Sequence, residues 1–138
     1  MISSLFSYLS EVAGNLTERS EPVKVTVKEG DHAVLPCSAS ASIVSDTKVD
    51  RLLVWWTHND QDVCAFAKGK PYAACRNRTK IFRQEGRDAH FLLIINDTVF
   101  TDGGEYTCFM QKPGKIGYAI ATIHLIVQGK GLWTISKA

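Results

Sequence analysis

Apolar and polar residues alternate along most of the chain after residue 22, and such a period of two predicts β-strands. Residues that favour turns, chiefly glycine, proline, asparagine and aspartate, interrupt the alternation at intervals of about eight to twelve positions. No stretch of useful length follows the period of an α-helix. The pattern therefore predicts an all-β sandwich or barrel of about eight or nine short strands.

The clearest strands lie in the middle and at the end of the chain. Residues 51–56, Arg-Leu-Leu-Val-Trp-Trp, are so apolar that a buried central strand is expected. Residues 105–111 and 118–127 are predicted to form a hairpin, and other turns are predicted at 59–62 and 69–71. Shorter strands are expected at 23–27, 33–37, 63–67, 72–75, 79–82 and 91–95.

Residues 23–127 are expected to form one domain between two tails. Residues 1–22 are interpreted as an N-terminal segment with a degenerate signal or leader, because serines and Glu11 interrupt the apolar run that a signal peptide needs. Residues 128–138 have no period and are interpreted as a C-terminal tail or linker. No apolar run reaches the roughly 18 residues of a membrane span, so we expect a soluble chain or part of a longer product.

Composition and motifs exclude several classes of function. Hydrophobic residues make up 45% of the chain and charged residues 22%, with a net charge of +2, as in an ordinary globular protein. This excludes a disordered chain and a strongly basic nucleic-acid binder, so no nucleic-acid partner is expected. The sequence also lacks a nucleophile elbow, a phosphate-binding glycine loop and histidines spaced as metal ligands. We expect no catalytic residue, no metal site and no cofactor.

Cysteine and asparagine usage points to the secretory pathway. The four cysteines, an even number, can pair completely in an oxidising compartment. Asn15, Asn77 and Asn96 stand in Asn-x-Thr triplets, which are acceptors for N-linked glycans. We therefore expect an extracellular protein, secreted or the ectodomain of a membrane protein. Glycans are expected at Asn15 and Asn77, with Asn96 less accessible because it ends a strand.

One motif near the end of the chain indicates a fold family. Asp102-Gly-Gly-Glu-Tyr106-Thr-Cys108 places a tyrosine two residues before a cysteine, while Cys37 and a tryptophan pair precede it. The combination resembles a variable-type domain of the immunoglobulin superfamily over residues 23–127. The resemblance implies a two-sheet Greek-key sandwich.

The resemblance also implies two long-range contacts. A disulfide would join Cys37 to Cys108 and would restrict the unfolded chain by about 4 to 5 kcal/mol in the chain-entropy model. Arg78, at the start of a long strand, would form a salt bridge with Asp102. A solvated Arg78 is the alternative.

Alternation decides which side chains point into the sandwich. Trp56 shares its side of the strand with Val54 and is expected to pack on the disulfide, which leaves Trp55 outside. The opposite assignment, with Trp55 in the core and Trp56 at the surface, stays open. The expected core residues are Trp56, Tyr106, Leu35, Val54 and Leu93.

The other two cysteines fall on the two extra strands that distinguish variable-type domains. Cys64 and Cys75 flank Gly69-Lys-Pro71 and are close enough for a strand pair to bridge, so we expect them to pair. An intermolecular disulfide through one of them is the alternative.

Further details narrow the kind of variable domain. The Phe-Gly-x-Gly motif of antigen receptors is absent from 115–121, and the essential arginine of sialic-acid-binding lectins is absent from 108–112. The segments 76–82, 91–95 and 121–127 resemble the membrane-distal domain of the butyrophilin and T-cell costimulatory-ligand group. This resemblance implies a role in immune-cell contact or costimulation-like signalling.

The expected function is non-enzymatic recognition of a protein partner, a cell-surface receptor or ligand, with a homophilic partner left open. Inward-pointing core residues leave large apolar side chains on the outer face of one sheet, the GFCC′ face of the resembled domains, and contiguous apolar patches mark interaction sites. The expected partner-binding residues are Trp55, Phe109, Ile120, Leu53, Glu105, Gln111, Thr122 and Tyr118.

A basic segment supports an alternative function, an adhesion module that binds a heparan-type acidic glycan. Its cations are Lys68, Lys70, Arg76, Arg78, Lys80, Arg83 and Arg87. The competing interpretation is a solvated edge that a glycan at Asn77 partly shields.

Overall fold

The computed structural model describes residues 22–39, 51–67, 70–71, 75–84 and 89–129. This part of the chain contains short strands and one 3-10 helix at Phe100–Asp102. The strands are β1 (Val23–Lys28), β2 (Ala33–Leu35), β3 (Ser38–Ala39), β4 (Leu53–His58), β5 (Gln61–Ala67), β6 (Lys70–Pro71), β7 (Thr79–Gln84), β8 (Ala89–Ile95), β9 (Gly104–Gln111) and β10 (Tyr118–Gln128).

The strands form two sheets that pack face to face. The front sheet has six strands in the order β1-β10-β9-β4-β5-β6, with β1 parallel to β10 and the other pairs antiparallel. In the back sheet, β8 pairs with β7 on one side and with β2 and β3 on the other. Since β2 and β3 flank only Pro36 and Cys37 and share one neighbour, they count as one interrupted strand, which makes nine strands in the described residues. The predicted two-sheet sandwich is confirmed.

The core lies between the sheets and consists of the inward side chains of both. Trp56 is fully buried on β4 and lies directly across the ladder from Cys108 on β9. Cys108 is bonded to Cys37, with 6.4 Å between the Cα atoms, so this disulfide joins the front sheet to the back sheet. Four further core residues are fully buried: Tyr106, Leu35, Val54 and Leu93.

A bulge between β9 and β10 breaks the alternation of the front sheet. Cys108 lies opposite Ala121 and Phe109 opposite Ala119, so Ile120 is the extra residue. Ile120 is half-buried and packs against the core cluster. Strict alternation, which places Ile120 wholly on the outer face, does not hold here because the inserted residue has no partner across the ladder.

The turn between β4 and β5 is tighter than the sequence predicts. Asn59 and Asp60 both have positive φ, 48° and 70°, so the chain reverses within two residues and β5 begins at Gln61. The turn expected at 59–62 is therefore shorter than predicted and the strand longer. In the same way, the last two residues of the turn expected at 69–71 form β6 and pair with β5.

Some predictions fall outside the described residues. They concern residues 1–21 with the glycan acceptor Asn15, residues 130–138 of the expected tail, and most of the strand expected at 72–75. Within the ranges that the structure does describe, no helix has the length and apolar character needed to cross a membrane.

Replacing Trp56 by alanine should lower the free energy of unfolding by about 3 to 5 kcal/mol, because it leaves a large cavity beside the disulfide. Trp55→Ala, one position away but only half-buried, is the matched control and should cost about 1 to 2 kcal/mol. Urea denaturation of both variants measures the difference. Equal losses would contradict the assignment of Trp56 to the core and Trp55 to the face.

Candidate functional site

The outer face of the front sheet carries a stacked aromatic pair. Trp55 on β4 lies directly across the ladder from Phe109 on β9. Their ring centroids are 5.1 Å apart and the ring planes differ by 9°, so the two rings stack side by side on the sheet. Both side chains are half-buried, which leaves a continuous aromatic surface open to a partner.

Small residues flank this pair on the two neighbouring strands, in the row of residues that pair with one another across the sheet. Ala65 lies beyond Trp55 on β5, and Ala119 lies beyond Phe109 on β10. Because alanine side chains rise little above the sheet, the two rings form the highest part of the face. We call Trp55, Phe109 and the adjoining Leu53 the aromatic patch.

The loop between β9 and β10 supports the patch at one end. A Cβ atom added to Gly117 would lie 2.7 Å from the Cη2 atom of Trp55, so the glycine backbone packs directly on the indole ring. The side-chain amide of Gln111 donates to the carbonyl of Lys115 at 2.8 Å and holds the loop in place. Sequence reasoning missed Gly117; the signal was a glycine in the loop that flanks the expected face.

The remaining predicted partner-binding residues are distributed around the patch. Gln111 lies across from Leu53, one row away from the rings. Glu105 and Thr122 lie on the outer side towards the β4–β5 turn, where Glu105 is exposed and Thr122 half-buried. Tyr118 pairs with the buried Met110, outside the rows of the aromatic patch, and is 43% exposed. The structure therefore brings the aromatic patch and Gln111 together, with the others around them.

A groove of about 590 Å³ opens beside the patch. Its walls are Leu53, Trp55, Asp62, Val63, Cys64, Ala65, Arg76 and Gln111. Apolar walls with a few polar groups are the usual surroundings of a partner side chain. Among the described residues there is no group of three metal-ligating side chains.

At one end of the sandwich, Asp102 and Arg78 form an ion pair. The guanidinium of Arg78 donates to both carboxylate oxygens, at 2.9 and 3.2 Å, and the Asp102 side chain is only 6% exposed. Arg78 Nη1 also donates to the backbone carbonyls of Asn96 and Asp97. The Val99 N–H donates to the same carboxylate at 2.8 Å. The pairing of Arg78 with Asp102 therefore connects the start of β7 to the turn before β9.

A second arginine, Arg76, joins this cluster, although the sequence analysis placed it only in the basic segment. Arg76 donates to the His58 ring at 3.1 Å and to the Tyr106 hydroxyl at 3.3 Å, and its guanidinium lies 3.9 Å from Asp102. His58 Nε2 lies 2.8 Å from the carbonyl of Gly103, so Nε2 carries the proton and Nδ1 accepts from Arg76. The imidazole also stacks on the Tyr106 ring, with 4.2 Å between centroids.

Burial and pairing together set the protonation of this cluster. Burial alone would raise the pKa of Asp102, but the Arg78 hydrogen bonds, the Val99 N–H and the two guanidinium charges outweigh it and lower the pKa. The hydrogen bond to Asp102 raises the pKa of Arg78. Burial raises the pKa of the Tyr106 hydroxyl. The cluster therefore holds Asp102 and Arg78 in their charged, hydrogen-bonded forms.

The second disulfide positions Arg76. Cys64 on β5 is bonded to Cys75, and the Arg76 N–H donates to the carbonyl of Val63 at 2.8 Å. The segment after Cys75 thus runs along the edge of β5, and the next side chain reaches the groove and the Asp102 cluster. An intramolecular pair leaves neither cysteine for a bridge to another chain.

The same contacts weaken the case for a glycan-binding edge. Arg76 and Arg78, two of its seven cations, direct their charge towards Asp102. Lys80 is exposed on β7, whereas Lys68 and Arg87 lie outside the described residues. The described cations of this segment are therefore divided between the Asp102 cluster and the surface.

Comparison with known proteins identifies the architecture. The model of the immunoglobulin domain family matches residues 23–119. No curated protein sequence matches the chain.

Several solved structures share the fold at low sequence identity. Tim-1 is 18% identical, covers 81% of this chain and 97% of its own, and gives a TM-score of 0.63. A structure from photo-crosslinking analyses of multimeric cell-adhesive interactions of VGSC beta subunits is 19% identical over 77% of this chain and 91% of that chain, with a TM-score of 0.62. The ZIG-8 IG1 homodimer is 17% identical over 84% and 87%, with a TM-score of 0.57.

Replacing Arg78 by glutamine should lower the free energy of unfolding at pH 7 by about 2 to 3 kcal/mol, because the buried carboxylate loses its main cation. Arg78→Lys is the matched control: it keeps the charge and the same left-handed backbone, where φ is 67°, and should lose less.

The pH dependence tests the cause of this loss. Because the pKa of Asp102 is lowered in the folded state, its contribution is complete above the unfolded value of about 3.9 and disappears as the pH falls through the folded value. Denaturation at pH 7 and pH 3 should show the gap between wild type and Arg78→Gln narrowing in acid. A gap of the same size at pH 3 would show that charge pairing is not its cause.

Proposed function

Because the chain belongs to the immunoglobulin domain family, we propose that it is a non-enzymatic recognition module that binds a protein partner through the outer face of its front sheet. The observation that carries this proposal is the stacked pair of Trp55 and Phe109 on that face. The fold supplies a flat surface, and the function comes from the side chains displayed there.

The aromatic patch has the properties of an interface centre. Two large rings are held in one orientation by each other and, for Trp55, by Gly117, so little side-chain entropy remains to be lost on binding. Tryptophan and other large anchors contribute most of the energy at protein interfaces. The polar groups around the rings, such as Gln111 and Glu105, would form the rim.

We further propose that the recognition domain is residues 23–127 and of the variable type. β5 and β6 extend the front sheet beyond β4, which is where variable-type domains add their extra strands. The Cys64–Cys75 disulfide lies in this extension. Membership of the butyrophilin and costimulatory-ligand group, and a role in immune-cell contact, rest on the sequence resemblance and are compatible with the similarity to Tim-1.

An extracellular location fits the same picture. Every described cysteine is in a disulfide, and such bonds persist in oxidising compartments. The similar VGSC beta subunit structure comes from work on cell-adhesive interactions, and the ZIG-8 IG1 structure is a homodimer. We propose that this chain acts at the cell surface or after secretion.

Trp55→Ala and Phe109→Ala should each weaken partner binding by about 2 kcal/mol or more, roughly 30-fold, while the fold survives. Gly117→Ala should also weaken it, because the added methyl group displaces the indole ring. Phe82→Ala on the back sheet, 49% exposed, is the matched control and should bind as wild type does. Tetramers of the full chain, applied to an array of cell-surface ectodomains, provide the measurement.

The result that would contradict this proposal is loss of binding in Phe82→Ala with normal binding in Trp55→Ala. The melting temperature of each variant serves as the control for folding. If the tetramers of every variant bind as well as those of the wild type, the contact lies elsewhere on the surface.

Glycosylation should occur at Asn77 and not at Asn96. Asn77 is exposed in the turn before β7. Asn96 is half-buried, its N–H donates to the carbonyl of Arg78, and Thr98 of its triplet is 1% exposed with its hydroxyl bonded to the carbonyl of Lys28.

Gel mobility of protein from a secretory host tests this difference. Glycosidase treatment should increase the mobility of the wild type. Asn77→Gln should reduce this increase by the contribution of one glycan, and Asn96→Gln should leave it unchanged. A mobility that glycosidase does not alter at all would argue against a glycoprotein.

A further inference from the structure

A second apolar surface lies on the outer face of the back sheet. Val34, Phe82, Leu92 and Ile94 each stand next to a buried residue in their strand, so alternation turns these four side chains outward. Val34 is 46% exposed and Phe82 49%, whereas Leu92 and Ile94 are half-buried. We call these four side chains the back patch.

The ladders of the back sheet join the four side chains into one surface. Val34 on β2 lies opposite Ile94 on β8, and Leu92 on β8 lies opposite Phe82 on β7. Residues two apart in a strand share a face, so Leu92 and Ile94 connect the two pairs. The back patch therefore crosses three neighbouring strands without a break.

Little charge accompanies this patch. An antiparallel sheet that faces water normally presents polar side chains on that face. Among the described residues of β2, β3, β7 and β8, Lys80 is the one outward side chain with a full charge. At the other end of the patch, the side chains of Ser38 and His90 bond to each other at 2.6 Å. An apolar surface of this kind associates with other molecules unless something covers it.

A glycan acceptor stands before the strand that carries Phe82. Asn77 is exposed in the turn that leads into β7, while Arg76 and Arg78 on either side of it direct their guanidinium groups towards Asp102. Asn77 therefore points away from the interior. The chain from Asn77 to Phe82 spans at most about 18 Å, and the near end of the back patch is closer still. The branched core of an N-linked glycan is long enough to reach across this distance.

We propose that the N-linked glycan at Asn77 lies over the back patch and covers it. The proposal rests on the glycosylation of Asn77 proposed above and is independent of the partner-binding face. Sugar rings present C–H groups on their faces and hydroxyl groups at their edges, so they pack on side chains such as Phe82 and keep their hydroxyl groups in water. With the back patch covered, the front sheet is left as the apolar face open to a partner.

Attachment favours the glycan over any free occupant of this surface. A group tethered beside its binding surface has a high effective concentration there, whereas a second protein must lose its freedom of movement to bind. A protein that docked on the back patch would also have to displace the glycan from Asn77. The weak contacts between sugar rings and apolar side chains are therefore sufficient to keep the patch covered.

Binding of the hydrophobic dye anilinonaphthalene sulfonate to the full chain, produced in a secretory host, tests the cover. Asn77→Gln should bind about threefold more dye than the glycosylated wild type, because its back patch is open. Wild type whose glycans are trimmed enzymatically to the first sugar should show the same rise, which separates the loss of the glycan from the effect of the substitution. The aromatic patch of the front sheet contributes equally to every form.

Substitutions within the back patch identify the surface that the dye reaches. Val34→Thr with Phe82→Thr, added to Asn77→Gln, should return dye binding to the level of the glycosylated wild type, because threonine suits a strand and removes apolar area. Ile116→Thr, added to Asn77→Gln in the same way, is the matched control. Ile116 is 90% exposed but lies in the β9–β10 loop, so its replacement should leave the rise in place. Equal melting temperatures show that each variant is folded.

Several outcomes overturn the proposal. They are an intact mass without a glycan on Asn77, equal dye binding by Asn77→Gln and glycosylated wild type, and a rise that persists after Val34→Thr with Phe82→Thr. Weaker self-association of the glycosylated protein after Phe82→Thr, measured by sedimentation velocity, also overturns it, because a second copy then occupies the patch. An Asn77 without a glycan contradicts the proposed glycosylation as well. The other outcomes leave that glycosylation and the partner-binding face standing.

Discussion

The structure depends on the compensation of one buried carboxylate. The Asp102 side chain is 6% exposed, and a buried charge is tolerated only when it is paired and hydrogen-bonded. Arg78 at the start of β7 and the Val99 N–H supply these partners, while Tyr106 on β9 donates to the Asp102 backbone carbonyl. The cluster therefore joins the two sheets at one end of the sandwich. The Cys37–Cys108 disulfide joins them again beside Trp56.

Further contacts connect this cluster to the outer face of the front sheet. Arg76 contacts Tyr106 and His58 on one side and lines the groove beside Trp55 on the other. The Cys64–Cys75 bond fixes the segment that carries Arg76 along β5. A face held in this way loses little conformational entropy when a partner binds. This makes the binding free energy of a rigid aromatic centre more favourable.

The distribution of charge follows from the same contacts. A count of arginines and lysines along residues 68–87 suggests one basic edge, but the fold turns Arg76 and Arg78 towards Asp102. Exposed charges of both signs remain on the front sheet, where Lys24 lies in the same row as Glu105. Position relative to the sheet, and not the number of cations, decides how this surface meets another molecule.

The period of two and the Tyr106–Cys108 motif determined the fold class. The same period determined which side of β4 and β9 faces inward, and with it the expectation of Trp56 inside and Trp55 outside. Backbone geometry alone makes neighbouring residues of a strand face opposite ways. The tertiary structure decided the rest. The bulge at Ile120, the contact of Gly117 with Trp55 and the place of Arg76 and His58 beside Asp102 each depend on residues far apart in the chain. A local pattern contains no distance between such residues, so their contacts appear only when the strands have paired and the sheets have packed.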